Sequence, residues 1–203
     1  MTWSEIHQFD QQLTLAINSW HSTLTDPVWA FFSKIPVWIP MYAAIVALLI
    51  WRLGWKKGLI MTLAAVATFG FCDQFSNLIK DLVCRARPLH DDFMLSNGLH
   101  ILEQGGRSFS FFSAHAANAF GLAVSTLTGL KIDKEWFPEK GKANICGRLY
   151  AIWMLFWAVM VSLSRVFVGR HYLGDVIVGA ITGALAGFAF ASLARLVIRR
   201  YFA

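Results

Sequence analysis

The sequence predicts an all-α protein, an integral membrane bundle of about five transmembrane helices preceded by an N-terminal amphipathic helix. Three observations carry that expectation. Over 203 residues the hydrophobic fraction is 57% and the charged fraction only 15%, and the mean hydropathy of +0.53 is too high for an ordinary soluble domain. The ionisable side chains gather between apolar runs, several of which approach the ~20 residues needed to cross hydrocarbon. Trp38, Trp51 and Trp55 stand at the edges of one such run, where amphipathic rings sit at headgroup level. The length fits one membrane-embedded domain over residues 1–203.

Residues 3–20 place Ile6, Phe9, Leu13, Ile17 and Trp20 at spacings of three and four, with Glu5, Gln11, Gln12 and Asn18 elsewhere around the helix. This is an amphipathic pattern. It either lies in the membrane interface or packs along the bundle, and its low overall hydrophobicity favours the interface. A first span follows over residues 36–51, extended backwards if residues 28–32 are helical, with Pro36 and Pro40 bending or delaying its start. A basic turn at Arg52, Lys56 and Lys57 leads into a second span over residues 58–79, whose latter half carries Asp73, Asn77 and Lys80 on one face. An ionisable group turned toward lipid costs at least ~2.5 kcal/mol, so that face should look inward. Residues 81–112 hold Pro88, Gly98, Gly105 and Gly106 and read as a polar loop with at most a short helix. Further spans are expected over residues 113–130, 149–164 and 173–198, with a charged connection between the first two of these. In the last span Gly179, Gly183 and Gly187 recur every fourth residue beside Ala180 and Ala184. Such a stripe lets helices approach closely, with packing inside the bundle expected ahead of a dimer seam.

The formal charge of +6 raises the question of nucleic acid. The basic residues do not form one stripe with interleaved aromatics, as such a face requires, so no nucleic-acid partner is expected. Topology accounts for them. With the N-terminus outside, Arg52, Lys56, Lys57, Lys131, Lys134, Lys140, Lys142, Arg148, Arg195, Arg199 and Arg200 fall inside, 11 of the 18 Lys and Arg, in keeping with the positive-inside bias. Lys34, Lys80, Arg85, Arg87, Arg107, Arg165 and Arg170 fall outside, so the loops after the second and fourth spans share the external face. No basic segment followed by a small-residue cleavage site opens the chain, and no removable signal peptide is expected. Cys72, Cys84 and Cys146 fall respectively in a span, outside and inside, so no disulfide is expected, nor does any pair have metal-ligand spacing.

Polar groups collect at residues 164–175. On a helical turn begun at His171, Asp175 faces the same side four residues on, where its carboxylate can hold one imidazole nitrogen and leave the other free as a nucleophile. Arg165 offers a planar fork of donors suited to phosphate, with Ser164 beside it as a possible hydroxyl donor. Lys80 and Arg87 are seven apart, two helical turns, so both address one anion if the second span continues to Pro88. Ser113, at the N-cap of the third span, would turn free backbone N–H groups outward as an anion site with His115 at its edge. Taken singly, each cluster is equally an interfacial anchor or an ordinary capped helix. His90, Asp91 and Asp92 read as a solvated loop rather than a metal site, for want of a second spaced ligand set.

Together, Lys80…Arg87-Pro88, Ser113-Ala114-His115 and Ser164-Arg165…His171…Asp175 resemble the three ordered motifs of the phosphatidic acid phosphatase type 2 superfamily. The family pattern is Lys, six residues, Arg-Pro; then Pro-Ser-Gly-His; then Ser-Arg, five residues, His, three residues, Asp. The resemblance covers about residues 73–190, with spacing complete in the first and third motifs. In the second, Phe112 replaces the proline and Ala114 the glycine, a change that a helical first turn accepts. The resemblance implies a phosphatase needing no metal or other cofactor. In it His171, oriented by Asp175, attacks phosphorus to form a phosphohistidine, and His115 is the general acid. Lys80, Arg87, Ser113 and Arg165, with backbone N–H near Ala114, cradle the phosphoryl oxygens.

The partner so implied is a phosphorylated membrane lipid, met at the periplasmic or external face of a bacterial inner membrane while its tail stays in the bilayer. Lipid A phosphate and undecaprenyl diphosphate suit the compact plan best, with phosphatidylglycerophosphate and phosphatidate as alternatives and residues 89–107 as much of the selectivity wall. The superfamily's vanadate haloperoxidases are disfavoured by the apolar spans. From another class, a channel or transporter has Asp73, Asn77 and Lys80 in its favour.

Overall fold

The structure, a computed structural model, describes residues 2–105 and 109–202; Arg107 lies outside the described residues. Eight α-helices follow one another among those described: α1 (Trp3–Asn18), α2 (Asp26–Ser33), α3 (Ile39–Leu53), α4 (Trp55–Val83), α5 (Asp92–Ser96), α6 (Ala114–Leu130), α7 (Ile145–Phe167) and α8 (Leu173–Tyr201). The chain is an all-α bundle, as its composition predicts.

Among the described residues four segments are long and apolar enough to cross a membrane: Ile35–Leu53, which joins a 3-10 turn to α3, then α4, α7 and α8. The remaining expected span is α6, 17 residues long, which stands at the centre of the bundle. α6 buries Ala116, Ala117, Ala119, Gly121, Leu122 and Ala123 within its first ten residues, so protein surrounds it on most sides and it needs neither bulk nor length to satisfy lipid. At 1.5 Å per residue it still rises about 26 Å.

The glycine stripe of α8 seats against this helix. A Cβ on Gly179 would come within 2.4 Å of the Ser113 carbonyl oxygen, one on Gly183 within 1.9 Å of the Ala117 oxygen, and one on Gly187 within 2.4 Å of the Gly121 oxygen. Backbone therefore meets backbone along three turns, which is the packing use of the stripe. The contact sets the first turn of α6 beside that of α8, where the Ser113 N–H donates to the Asp175 carbonyl at 3.0 Å. At the opposite end, Arg52 pairs with Asp133 at 2.6 Å and Glu135 at 2.7 Å, tying α3 to the charged connection.

α1 is polar side in. Gln11, Thr14 and Asn18 are buried, whereas Trp3, Ile6, Phe9 and Leu13 are exposed. Its polar face packs on the bundle, and an apolar stripe turned away from the protein suits a membrane interface. The Asn18 amide donates to the Val166 and Phe167 carbonyls at 3.0 and 3.2 Å, satisfying groups that the end of α7 leaves open.

One local expectation fails. α4 does not run on to Pro88; it stops at Val83, where Cys84 takes a left-handed conformation with φ 51°. Its N–H donates to the Lys80 carbonyl at 3.0 Å, a single-residue closure of the last turn. The chain then doubles back, pairing Ala86 with Phe109, and Arg87 approaches from a loop rather than from the helix of Lys80.

Candidate active site

The three sequence clusters line one cavity of about 200 Å³, with Lys80 and Arg87 from the first, Ala114 and His115 from the second, and Arg165 and His171 from the third. Phe32, Trp38, Tyr42, Phe69 and Trp157 form its aromatic walls, and Asp73, Asn77 and Asn118 stand between them. The inward look expected of Asp73, Asn77 and Lys80 is thus met at the cavity. Lys80, Arg87 and Arg165 are only 5%, 5% and 3% exposed. Several cations held out of water around one small volume pay desolvation and mutual repulsion, which a bound anion offsets.

His171 sits in the turn between α7 and α8. Its Nδ1 lies 3.4 Å from Asp175 Oδ2, a long hydrogen bond, and its Nε2 lies 3.3 Å from Arg87 Nη1. Guanidinium cannot accept, so Nε2 carries the lone pair and Nδ1 the proton shared with Asp175. Burial, followed by the nearby charges of Arg87, Arg165 and Lys80, holds the imidazole well below its usual value, so it is neutral at neutral pH. Burial and the neighbouring Arg170 and Arg165 bring Arg87 down to about 10, which leaves it charged. Asp175 is fully buried and also accepts the Tyr172 N–H at 3.1 Å and Arg85 at 2.7 Å.

The other residues take more varied positions. Lys80 Nζ donates to the Ser76 hydroxyl at 2.8 Å. Ser113 is the N-cap of α6 and its hydroxyl accepts the Ala116 N–H at 3.4 Å; it is buried behind the cavity wall, and α6 presents Ala114 and His115 instead. Ser164 is engaged within α7, donating to the Val161 carbonyl at 2.7 Å. Residues 89–105 do not appear in the wall of this cavity. They brace it from behind: Glu103 pairs with Arg165 at 3.2 Å, both contact the Ser33 hydroxyl, and Asp91 accepts from the Tyr172 hydroxyl at 2.6 Å and Gln11 at 2.7 Å. Burial raises the Asp91 carboxyl, but these bonds and two backbone N–H groups outweigh it and keep the group below its ordinary range.

Sequence reasoning missed Arg170, which joins the cavity wall, and Arg85, which grips Asp175. Both lie inside the motif intervals, which is the signal that was there to use. Glu103 and Ser33 meet Arg165 only through the fold and left no local signal. His21, Asp26 and His100 bring potential ligand atoms within 4.8 Å of one another, but the two imidazoles stack face to face at 3.6 Å and 8°. A metal lies in the plane of each imidazole that binds it, so this stack aims no two lone pairs at one ion.

The fold and cavity define an integral membrane protein built around a pocket lined by buried cationic side chains. Residues 54–199 match the PAP2 superfamily, and the chain belongs to it. It is 32% identical over 197 residues to a lipid A 4'-phosphatase of Bacteroides thetaiotaomicron, across 96% of this chain and 81% of that relative. It is 29% identical over 187 residues to an undecaprenyl-diphosphatase of Sulfolobus acidocaldarius, across 89% and 76%. Its fold is similar to the crystal structure of a PAP2 type phosphatidylglycerolphosphate phosphatase from Bacillus subtilis, with a TM-score of 0.72 at 22% identity, over 97% of this chain and 89% of that one.

Proposed function

We propose that the chain is a membrane lipid phosphatase that works through a phosphohistidine on His171. The observation that carries the reading is the His171 imidazole, held at Nδ1 by buried Asp175, with Nε2 at the wall of a pocket lined by Lys80, Arg87, Arg165 and Arg170. Nε2 attacks phosphorus in line, the bond from phosphorus to the lipid oxygen breaks, and His115, which takes up a proton as the negative charge of the bound phosphate offsets the surrounding cations, gives that oxygen its proton. Water then attacks phosphorus, His115 takes the water proton, the P–N bond breaks and inorganic phosphate leaves. The cations and the first N–H groups of α6 stabilise the equatorial oxygens throughout. Ser113 supports them by fixing that first turn. No metal is required, because fixed positive charge already occupies the positions in which a divalent ion would neutralise the phosphoryl group.

The substrate class that fits best is a phosphomonoester on a sugar headgroup, as in lipid A. The relative with 32% identity spans most of both chains. Asp73, Asn77 and the buried Asn118 Oδ1, which has no hydrogen-bond partner, face aromatic rings across the cavity, a combination suited to a hydroxyl-bearing ring. A second pocket of about 260 Å³, lined by Ile45, Val46, Leu49, Ala65, Val66 and Leu122, shares Tyr42 and Phe69 with the first and offers an apolar path for a tail. Undecaprenyl diphosphate is the second reading, supported by the relative at 29% identity. The site lies at the end of the bundle away from Arg52, Lys56 and Arg199, which supports a periplasmic location in a bacterial inner membrane.

Phosphate release in detergent micelles tests this, using lipid A, undecaprenyl diphosphate, phosphatidylglycerophosphate and phosphatidate. The expected result is highest turnover on lipid A and none by His171→Ala. Turnover that survives His171→Ala overturns the mechanism, and solute flux through proteoliposomes that survives it favours a channel or transporter.

A further inference from the structure

Arg85 is not one of the motif positions, yet it stands between the catalytic carboxylate and α1. One guanidinium nitrogen donates to Asp175 Oδ1 at 2.7 Å and the other to Asp10 Oδ2 at 2.8 Å. The second nitrogen also lies 3.0 Å from His7 Nδ1, and the guanidinium carbon sits 3.8 Å from the centroid of the Tyr172 ring. The Arg85 and Asp10 side chains are 13% and 14% exposed and Asp175 is 0% exposed, so these are largely desolvated contacts. Such contacts are strong when every charge is matched and costly when one is removed.

α1 also holds the first turn of α8 directly. Asp10 Oδ1 accepts the Gly174 N–H at 2.8 Å, and the Thr14 hydroxyl accepts the Leu173 N–H at 2.9 Å. Helix starts leave such donors open, and here a different helix satisfies them. A Cβ on Gly174 would come within 2.7 Å of Asp10 Oδ2, so the absence of a side chain there is what admits the carboxylate.

We propose that Arg85 is a positioning residue for the His171–Asp175 pair, and that Asp10 of α1 holds Arg85 in place, which makes the interfacial helix part of the active-site machinery. The proposal rests on the reading of His171 as nucleophile. A carboxylate can turn about its Cβ–Cγ bond. With Oδ1 fixed by Arg85, Oδ2 stays aimed at the Tyr172 N–H and at His171 Nδ1, which keeps Nε2 pointing into the cavity. Arg85 in turn is fixed on three sides, by Asp175, by Asp10 and by the Tyr172 ring. Without Asp10 the guanidinium can swing, and Oδ2 loses its aim. A planar fork bridges two carboxylates where an ammonium serves one, so lysine is a poor replacement. The outer face of α1 is apolar, so the helix that meets the membrane is also the one that orients the nucleophile.

The test uses the full chain in micelles with the best substrate of the panel, comparing Asp10→Asn, Arg85→Lys, the double variant, Gln11→Ala and His171→Ala. Gln11 fastens α1 to Asp91 without touching Arg85 or Asp175, so it reports loosened docking of α1. Asp10→Asn is expected to lower kcat about tenfold, as small errors in attack geometry do, with KM little changed. Arg85→Lys is expected to lower it at least as much, and the double variant should be no worse than Arg85→Lys, since both remove one linkage. Gln11→Ala should lower kcat less than Asp10→Asn does even if it melts earlier. The proposal is overturned by wild-type kcat in Asp10→Asn, by effects that multiply in the double variant, or by an equal loss in Gln11→Ala. If His171→Ala is inactive while Asp10→Asn and Arg85→Lys turn over normally, the linkage alone fails; if His171→Ala turns over, the nucleophile reading fails and takes the linkage with it.

Discussion

Gly183→Ala should cost most of the activity although the residue lies two turns below the chemistry. The added Cβ would stand 1.9 Å from the Ala117 carbonyl oxygen, 2.6 Å from its carbon and 2.7 Å from its Cα. A carbon and a carbonyl oxygen settle no closer than about 3.3 Å, so α8 must move from α6 by about 1.4 Å at this point. Backbone is the obstacle, so no rotamer change relieves it. The displacement separates His115 on α6 from the turn before α8 that carries His171, and an error of about 1 Å in such a pair can cost about 100-fold in rate. Gly70→Ala is the matched control, since a Cβ there meets nothing within 4 Å, and alanine in a helix should be neutral or stabilising by up to about 1 kcal/mol. Phosphate release and thermal unfolding, measured on both variants in the same detergent, decide the matter. Wild-type turnover and melting in Gly183→Ala would refute the seating of α8 on α6.

Three further outcomes follow from the site. His115→Ala should slow turnover by ~10²–10⁴-fold, and a substrate with a leaving group that needs no proton should restore much of the first step, which single-turnover kinetics can read. Because burial and the surrounding cations keep the His171 imidazole below its usual range, the acid limb of kcat/KM in the wild type should lie below about 6.5. Arg87→Gln removes a neighbouring cation, lets the imidazole hold its proton to higher pH and should move that limb upward as well as lowering the rate; an unmoved limb would detach Arg87 from His171. Activity should withstand chelators, and loss restored by one divalent metal would contradict a cradle made only of side-chain cations and backbone N–H groups.

Much of the fold was legible because hydrocarbon thickness imposes long apolar runs that composition cannot hide. α6 was legible as a helix but not as the centre of the bundle: a helix wrapped by other helices can be short and rich in alanine, and the sequence pattern does not say what surrounds it. Lys80 and Arg87 were correctly grouped for the wrong geometric reason, since seven residues on a continuous helix and seven residues across the left-handed turn at Cys84 both bring cations together. Ser113 was legible as a cap, but whether a cap hydroxyl faces a ligand or the protein depends on the neighbouring helix. The least legible contacts join distant segments. Arg85 and Asp10 are 75 residues apart and Arg165 and Glu103 are 62 apart, with no periodicity linking either pair. The polar face of α1 was visible from the start, and only its partner, the first turn of α8, needed the structure.

The central claim is that the nucleophile is a side chain rather than water. Rapid quenching of the enzyme during turnover of a lipid labelled in its phosphoryl group addresses it directly, followed by mapping of any label on the protein. The expected result is a transient, base-stable and acid-labile phosphoryl group on the peptide containing His171, and none in His171→Ala. Full turnover with no labelled protein at any time, or label on a different residue, would contradict it.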